Sequence, residues 1–238
     1  MAEIGNCYGS EWQLLRCLGH HRNKFNDGIG KALGIDAKSI EWLDYPIDGN
    51  RKSGDNEYKS IEIIKHLDFA KERQTEIMDQ WNQFWATQGN SQRCDGVFTS
   101  NGVIHLVEAK GHIQEIKSSG CSSVDPHISN ALSLTIEWLT GKKNDELIQI
   151  WKGKYYQLAN RLAFAYFMSK ICHIPTKVVY VYFLNAWQDQ TLNIDKPEIW
   201  NEVINIEKRE LQIIDSETIK SVLYDVVYDC DTQQIVKG

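Results

Sequence analysis

The sequence predicts an α/β protein in which a central mixed β-sheet is flanked by helices. Three observations carry that expectation. Residues 93–110 read as a β-hairpin around Asn101-Gly102. The run KVVYVYFLN (177–185) is β-branched and aromatic, as buried strands are. Several segments around these two place apolar residues at helical spacing. Strands alternating with helices imply a sheet with helices packed on its faces. The 238 residues, 42% hydrophobic and 24% charged, suit one globular domain spanning 1–238. A net charge of −6 argues against a surface coated with basic residues but leaves room for a local basic groove.

Taken in order, Ser10 is expected to cap a helix through EWQLLRCLGHHRNKF, ended by the glycines of NDGIGKALG. SIEWLDYPI (39–47) reads as a short strand and DGNRKSGDN (48–56) as a loop. One long helix or two in succession then cover 58–87, with Ile61, Ile64, Leu67, Ile77, Trp81 and Trp85 at helical spacing. The hairpin follows. A serine-rich loop, SSGCSSVDP, leads to a helix at 126–140, where Asp125 supplies a cap and Pro126 a first-turn proline. A second helix covers 154–172, before the strand at 177–185. The remainder holds a helix around 197–209 and two strand candidates, LQIID and VLYDVVYD. Six scattered cysteines without a CxxC pair and an N-terminus unlike a signal peptide suggest a reduced, cytoplasmic protein. With no apolar run long enough to span a bilayer, no membrane partner is expected.

The hairpin carries the chemistry. Asn-Gly favours a two-residue type I′ turn, which sets Ser100 across from Val103. The same register sets Asp95 directly across from Glu108, and Arg93 across from Lys110 on the face of Glu108. Like charges opposed at about 4.5–5.5 Å destabilise a sheet, so the two carboxylates need a reason. A shared Mg²⁺ or Mn²⁺ ion is one. A shared proton on one raised carboxyl is a second. Neutralisation by Lys110 and Arg93 in an ion-pair cluster is a third. Phe98, Val103, Val107 and Ala109 fill the opposite face, so the strand is expected to be central, where charges are seldom decoration.

Asp95, twelve intervening residues, then Glu108-Ala109-Lys110 on an apolar strand resembles the PD-(D/E)XK nuclease superfamily, the restriction-endonuclease-like fold. The resemblance covers about 10–185. It makes 58–87 a helical insertion between the first and second strands and 186–238 a C-terminal extension. Cys94 stands where many members carry proline. The resemblance implies a Mg²⁺- or Mn²⁺-dependent deoxyribonuclease in which Asp95, Glu108 and the carbonyl of Ala109 ligate the metal. Lys110 would then serve the attacking water or the charge growing on the phosphate. It further implies that Glu11, on the first helix with Leu14, Leu15 and Leu18, completes the metal site. A first-turn acid facing the helix dipole explains Glu11 equally.

In YYQLANRLAFAYFM, Gln157, Asn160 and Arg161 share one face of an otherwise apolar helix. They are expected either to bond internally or to reach the carboxylates or a substrate phosphate. The expected partner is nucleic acid, DNA before RNA or a nucleotide, and the resemblance also admits a homodimer of the chain. The alternative is a catalytically inactive nuclease-like fold kept as a nucleic-acid- or protein-binding module.

Overall fold

A computed structural model describes residues 9–43, 58–86, 92–187, 189 and 191–236. Its chain forms a six-stranded mixed sheet with helices on both faces, plus a two-stranded ribbon at one side. Helix α1 (Ser10–Gly19) starts after Gly9, which takes the cap position at φ 89° that was expected of Ser10. A second helix, α2 (Arg22–Leu33), then runs through Gly28 and Gly30, two of the three glycines of NDGIGKALG expected to end the first helix. These glycines serve close packing. A Cβ on Gly28 would come 3.0 Å from Ile235, and one on Gly30 would come 2.9 Å from the carbonyl of Ile35. Termination falls to Gly34, the last glycine of that stretch, left-handed at φ 69°.

Strand β1 (Glu41–Trp42) is the described part of the 39–47 expectation, and the loop 48–56 lies outside the described residues. Of the segment 58–87, the described part, 58–86, is less helical than its periodicity suggested. It opens with β2 (Tyr58–Lys59), continues as 3₁₀ turns, and becomes α-helical only in α3 (Gln74–Phe84). The hairpin is β3 (Arg93–Cys94), β4 (Gly96–Ser100) and β5 (Val103–Lys110). Asn101 and Gly102, at φ 51° and 77°, make the turn with both residues left-handed, and Ser100 pairs with Val103 as the type I′ geometry requires.

Helix α4 (Pro126–Thr140) is capped by Asp125, whose side chain accepts from the His127 N–H, and closed by Gly141. Helices α5 (Asp145–Trp151) and α6 (Tyr156–Tyr166) follow, the latter running on as a π-helical turn through Ile171. Then come β6 (Thr176–Leu184), α7 (Pro197–Glu210), α8 (Glu217–Val222), β7 (Leu223–Asp229) and β8 (Gln234–Val236). LQIID forms a turn in which Leu211 and Ile213 are buried and Gln212 is left-handed, so it is not a strand.

The sheet order is β1-β4-β5-β6-β7-β8, with β5, β6 and β7 parallel to one another. Two C-terminal strands therefore extend the central sheet. Helices α1 and α2 cover one face, over Val107, Ala109, Val179, Val181 and Phe183. Helices α3 to α8 contribute to the core on the other, with Leu106, Val178, Tyr180 and Tyr182. Burial of each such large apolar side chain contributes about 1.5–3 kcal/mol. β5 is paired on both edges as far as Val107, and its last residues, Glu108 to Lys110, stay paired to β6. No helix among the described residues is long and apolar enough to cross a membrane.

Candidate active site

The regular hairpin ladder stops at Gly96–Val107. Arg93 and Cys94 leave it to pair with Lys59 and Tyr58. Two expected oppositions therefore do not form: Arg93 faces Lys59 rather than Lys110, and the Asp95 N–H donates to the carbonyl of Val107 (3.0 Å). A competing partner strand, not the turn, causes the departure. At this break the Asp95 carboxylate accepts from the N–H of Ala109 (2.7 Å), a main-chain donor that the departing strand no longer serves. Asp95 is thus tied to the segment Glu108-Ala109-Lys110 by its side chain.

Glu108 and Lys110 are 1% and 4% exposed. Lys110 Nζ donates to Glu108 Oε1 (2.8 Å) and to Gln157 Oε1 (2.7 Å). Arg161 grips the other oxygen of Glu108, with Nε at 3.0 Å and Nη2 at 2.9 Å from Oε2. It also donates to Asn160 Oδ1 (2.6 Å). The polar face of α6 therefore meets the polar end of β5, and Gln157, Asn160 and Arg161 all belong to one network. Charge-assisted bonds of this kind are the strong ones, and burial requires them.

Charge states follow from the geometry. Burial pushes the Asp95 carboxyl well above the usual range, and nearby Glu108 adds to this; Lys110, the Ala109 N–H and Arg161 offset only part of it. For Glu108 burial acts in the same direction, but Arg161 and Lys110 outweigh it and hold the group below its ordinary value. Burial would lower Lys110, yet Glu108 and Asp95 raise it. The two carboxyls are thereby pushed apart, one toward the acid and one toward the carboxylate.

Asp95, Glu108, Ala109, Lys110, Gln157 and Arg161 line one cavity of about 710 Å³. Glu11 lines it too, because α1 begins beside the carboxyl end of β5: a Cβ on Gly111 would come 2.9 Å from the N of Ser10. All the site residues read from the sequence thus meet at one place. Ser118 and Ser119 of the serine-rich loop also reach the cavity, together with Lys117, His112 and Trp187. His127 instead pairs with Asp125 on the surface.

Among the described residues, no three His, Cys, Asp or Glu side chains form a ready-made metal site. The donor chemistry nonetheless fits a hard divalent ion of the Mg²⁺ kind, which takes one or two carboxylates and retains several waters. Burial and Glu108 raise the Asp95 carboxyl, and a cation bound beside it would oppose both.

Sequence reasoning missed Glu207 on α7, which is 1% exposed. Its carboxyl is raised to about 8 by burial and by Asp225, with Lys110 and Lys208 opposing. Trp200, Ile204 and Glu207 are all buried on α7, at spacings of four and three. An acid in an apolar stripe was therefore the available signal.

Comparison with protein-family models, with curated proteins and with solved structures found no match.

Proposed function

We propose that the protein is a metal-dependent phosphodiester hydrolase of the PD-(D/E)XK kind, with DNA as its substrate. One observation carries the reading: Asp95, Glu108 and Lys110 meet in a single cavity with Glu11, at the end of a central strand. Sites at the carboxyl ends of strands are the usual ligand positions in open α/β sheets. Asp95 and Glu108 would hold Mg²⁺ or Mn²⁺, with the Ala109 carbonyl and Glu11 as further oxygen donors. Such an ion, when bound, neutralises phosphate oxygens and lowers the pKa of a bound water.

The chain's own groups do the rest. Lys110 is anchored as an ammonium between Glu108 and Gln157, so its role is donation to charge developing on the phosphate. Arg161 holds Glu108 in one orientation and stops it from turning toward solvent. Asp95, fixed by the Ala109 N–H, keeps its carboxyl beside the same backbone segment.

A second reading has its own observation. Both oxygens of Glu108 are already engaged, by Lys110 and by Arg161. On that reading the cluster is structural and the fold is a binding module.

Calorimetric titration with Mn²⁺, followed by digestion of plasmid DNA, separates the two. Wild type is expected to bind Mn²⁺ and to cut, Asp95→Ala to lose binding, and Lys110→Ala to lose cleavage while remaining folded by circular dichroism. No Mn²⁺ binding by wild type at millimolar levels, with no cutting, would leave the binding module.

A further inference from the structure

The cavity's walls carry chemistry that the hydrolytic centre does not use. Trp187 lies over the reactive end of β5: a Cβ on Gly111, the residue after Lys110, would come 2.8 Å from its indole Nε1. The ring sits edge-to-face with His112 at 5.3 Å. Its backbone N–H donates to Asn193 Oδ1 (3.3 Å), and Asn193 in turn donates to Asn185 (3.3 Å), so the loop bearing the indole is tied to the end of β6. Trp187 is half-buried and lines the cavity. Tyr156 supplies a second half-buried aromatic wall, and Arg93 and Lys117 supply cationic side chains along the same lining.

Depth and size restrict the guest. Glu108 and Lys110 are nearly inaccessible, so a phosphodiester reaches them only by entering the cavity. Its volume of about 710 Å³ is that of a small-molecule site, within roughly 300–1,000 Å³. A base-paired duplex presents each phosphate on a broad convex surface, with its bases locked in a stack. An unpaired strand turns a single nucleotide inward at the cost of unstacking alone, which is least for strands already single. Aromatic platforms beside cationic side chains are how proteins hold such strands, each stacked base contributing about 1–3 kcal/mol.

We infer that the cavity takes an unpaired nucleic-acid segment, with a base against Trp187 and the flanking phosphates toward Arg93 and Lys117. This deepens the hydrolase reading and rests on it. A net charge of −6 does not oppose it, since a short single-stranded footprint needs few phosphate contacts.

The test is a fluorescence-anisotropy titration of the full chain in Mn²⁺. The probes are hydrolysis-resistant phosphorothioate single strands of DNA, an RNA strand of the same sequence, and a blunt DNA duplex. At least one single strand is expected to bind about tenfold or more tighter than the duplex, and the better of DNA and RNA identifies the sugar preferred. Trp187→Ala should weaken single-strand binding about tenfold, and Trp187→Phe, which keeps an aromatic face, should retain most of it. Equal affinity for the duplex overturns the inference. So does unchanged single-strand binding in a folded Trp187→Ala chain. Duplex cleavage by wild type that is lost in Lys110→Ala would then preserve the hydrolase reading alone. If no probe binds and neither unmodified strand nor duplex is cut, both readings fall.

Discussion

Strands β5, β6 and β7 present two faces that are built to opposite rules on one backbone. Toward α1 and α2 they offer Val107, Ala109, Val179, Val181, Phe183 and Val226, an apolar layer. Toward α6 and α7 the neighbouring residues are Glu108, Lys110, Tyr180, Tyr182 and Asp225, aligned across three strands. Burial is almost equally complete on both sides, so burial does not decide polarity here. On the polar side each charge is matched: Glu108 by Lys110 and Arg161, and Asp225 by Lys208 and the Tyr182 hydroxyl. A buried ion pair rarely improves on well-packed apolar residues of the same volume. The polar face is therefore where this fold departs from what stability alone selects, which is where a functional site is expected.

The sharpest way to break the comparison is to remove one member of the charged set. Arg161→Met leaves Glu108 buried with only Lys110, and is expected to destabilise by about 3–5 kcal/mol in urea denaturation. Replacing Glu108, Lys110 and Arg161 together by apolar residues of similar volume should recover most of that loss while abolishing Mn²⁺ binding. If the triple variant stays as unstable as Arg161→Met, the charges are there for stability, and the two faces differ less than their composition suggests.

Glu207 extends the contrast to α7. Its carboxyl is raised from 4.5 to about 8, so the folded state holds this proton more tightly than the unfolded chain does. Its contribution is fully present below 4.5 and fades as pH rises toward 8, by a few kcal/mol at about 1.4 kcal/mol per unit. Glu207→Gln, which cannot ionise, is expected to gain on wild type across that interval. Urea melts of both chains at its two ends measure the gain, and a difference that stays flat would mean the side chain reaches water. Asp225, Lys110, Lys208 and the hydroxyls of Tyr155, Tyr180 and Tyr182 are among the charged and titratable groups around it.

What the sequence made legible was local. Asn101-Gly102 set the turn and Ser100–Val103 the register, and Asp125-Pro126 set the start of α4, because each depends on a few adjacent residues. The polar stripe Gln157, Asn160 and Arg161 was visible as an anomaly in an apolar helix, though its partners were not. The break at Asp95 was illegible because its cause lies far away, in the pull of Tyr58–Lys59 on Arg93–Cys94. The place of β7 was hidden likewise: VLYDVVYD reads as a strand, but its neighbour in the sheet is β6, some forty residues earlier.

The apolar face has one ionisable intruder on β5, and it gives the smallest expected effect. His105 stacks on Phe98 with ring centroids 4.3 Å apart and planes 6° from parallel, and it is 1% exposed. Burial, with Lys177 nearby, lowers its pKa from 6.5 to about 4. The folded state thus keeps the ring neutral where the unfolded chain would protonate it. Stability is complete above 6.5 and falls as pH drops toward 4, by about 3 kcal/mol in all. His105→Phe preserves the stack and removes the titration, so its advantage over wild type should grow through that window and level off below it. Thermal melts of the two chains across the interval measure this directly. An advantage that is constant with pH would mean that protonated His105 finds a partner in the folded state, and that this face tolerates charge as the other does.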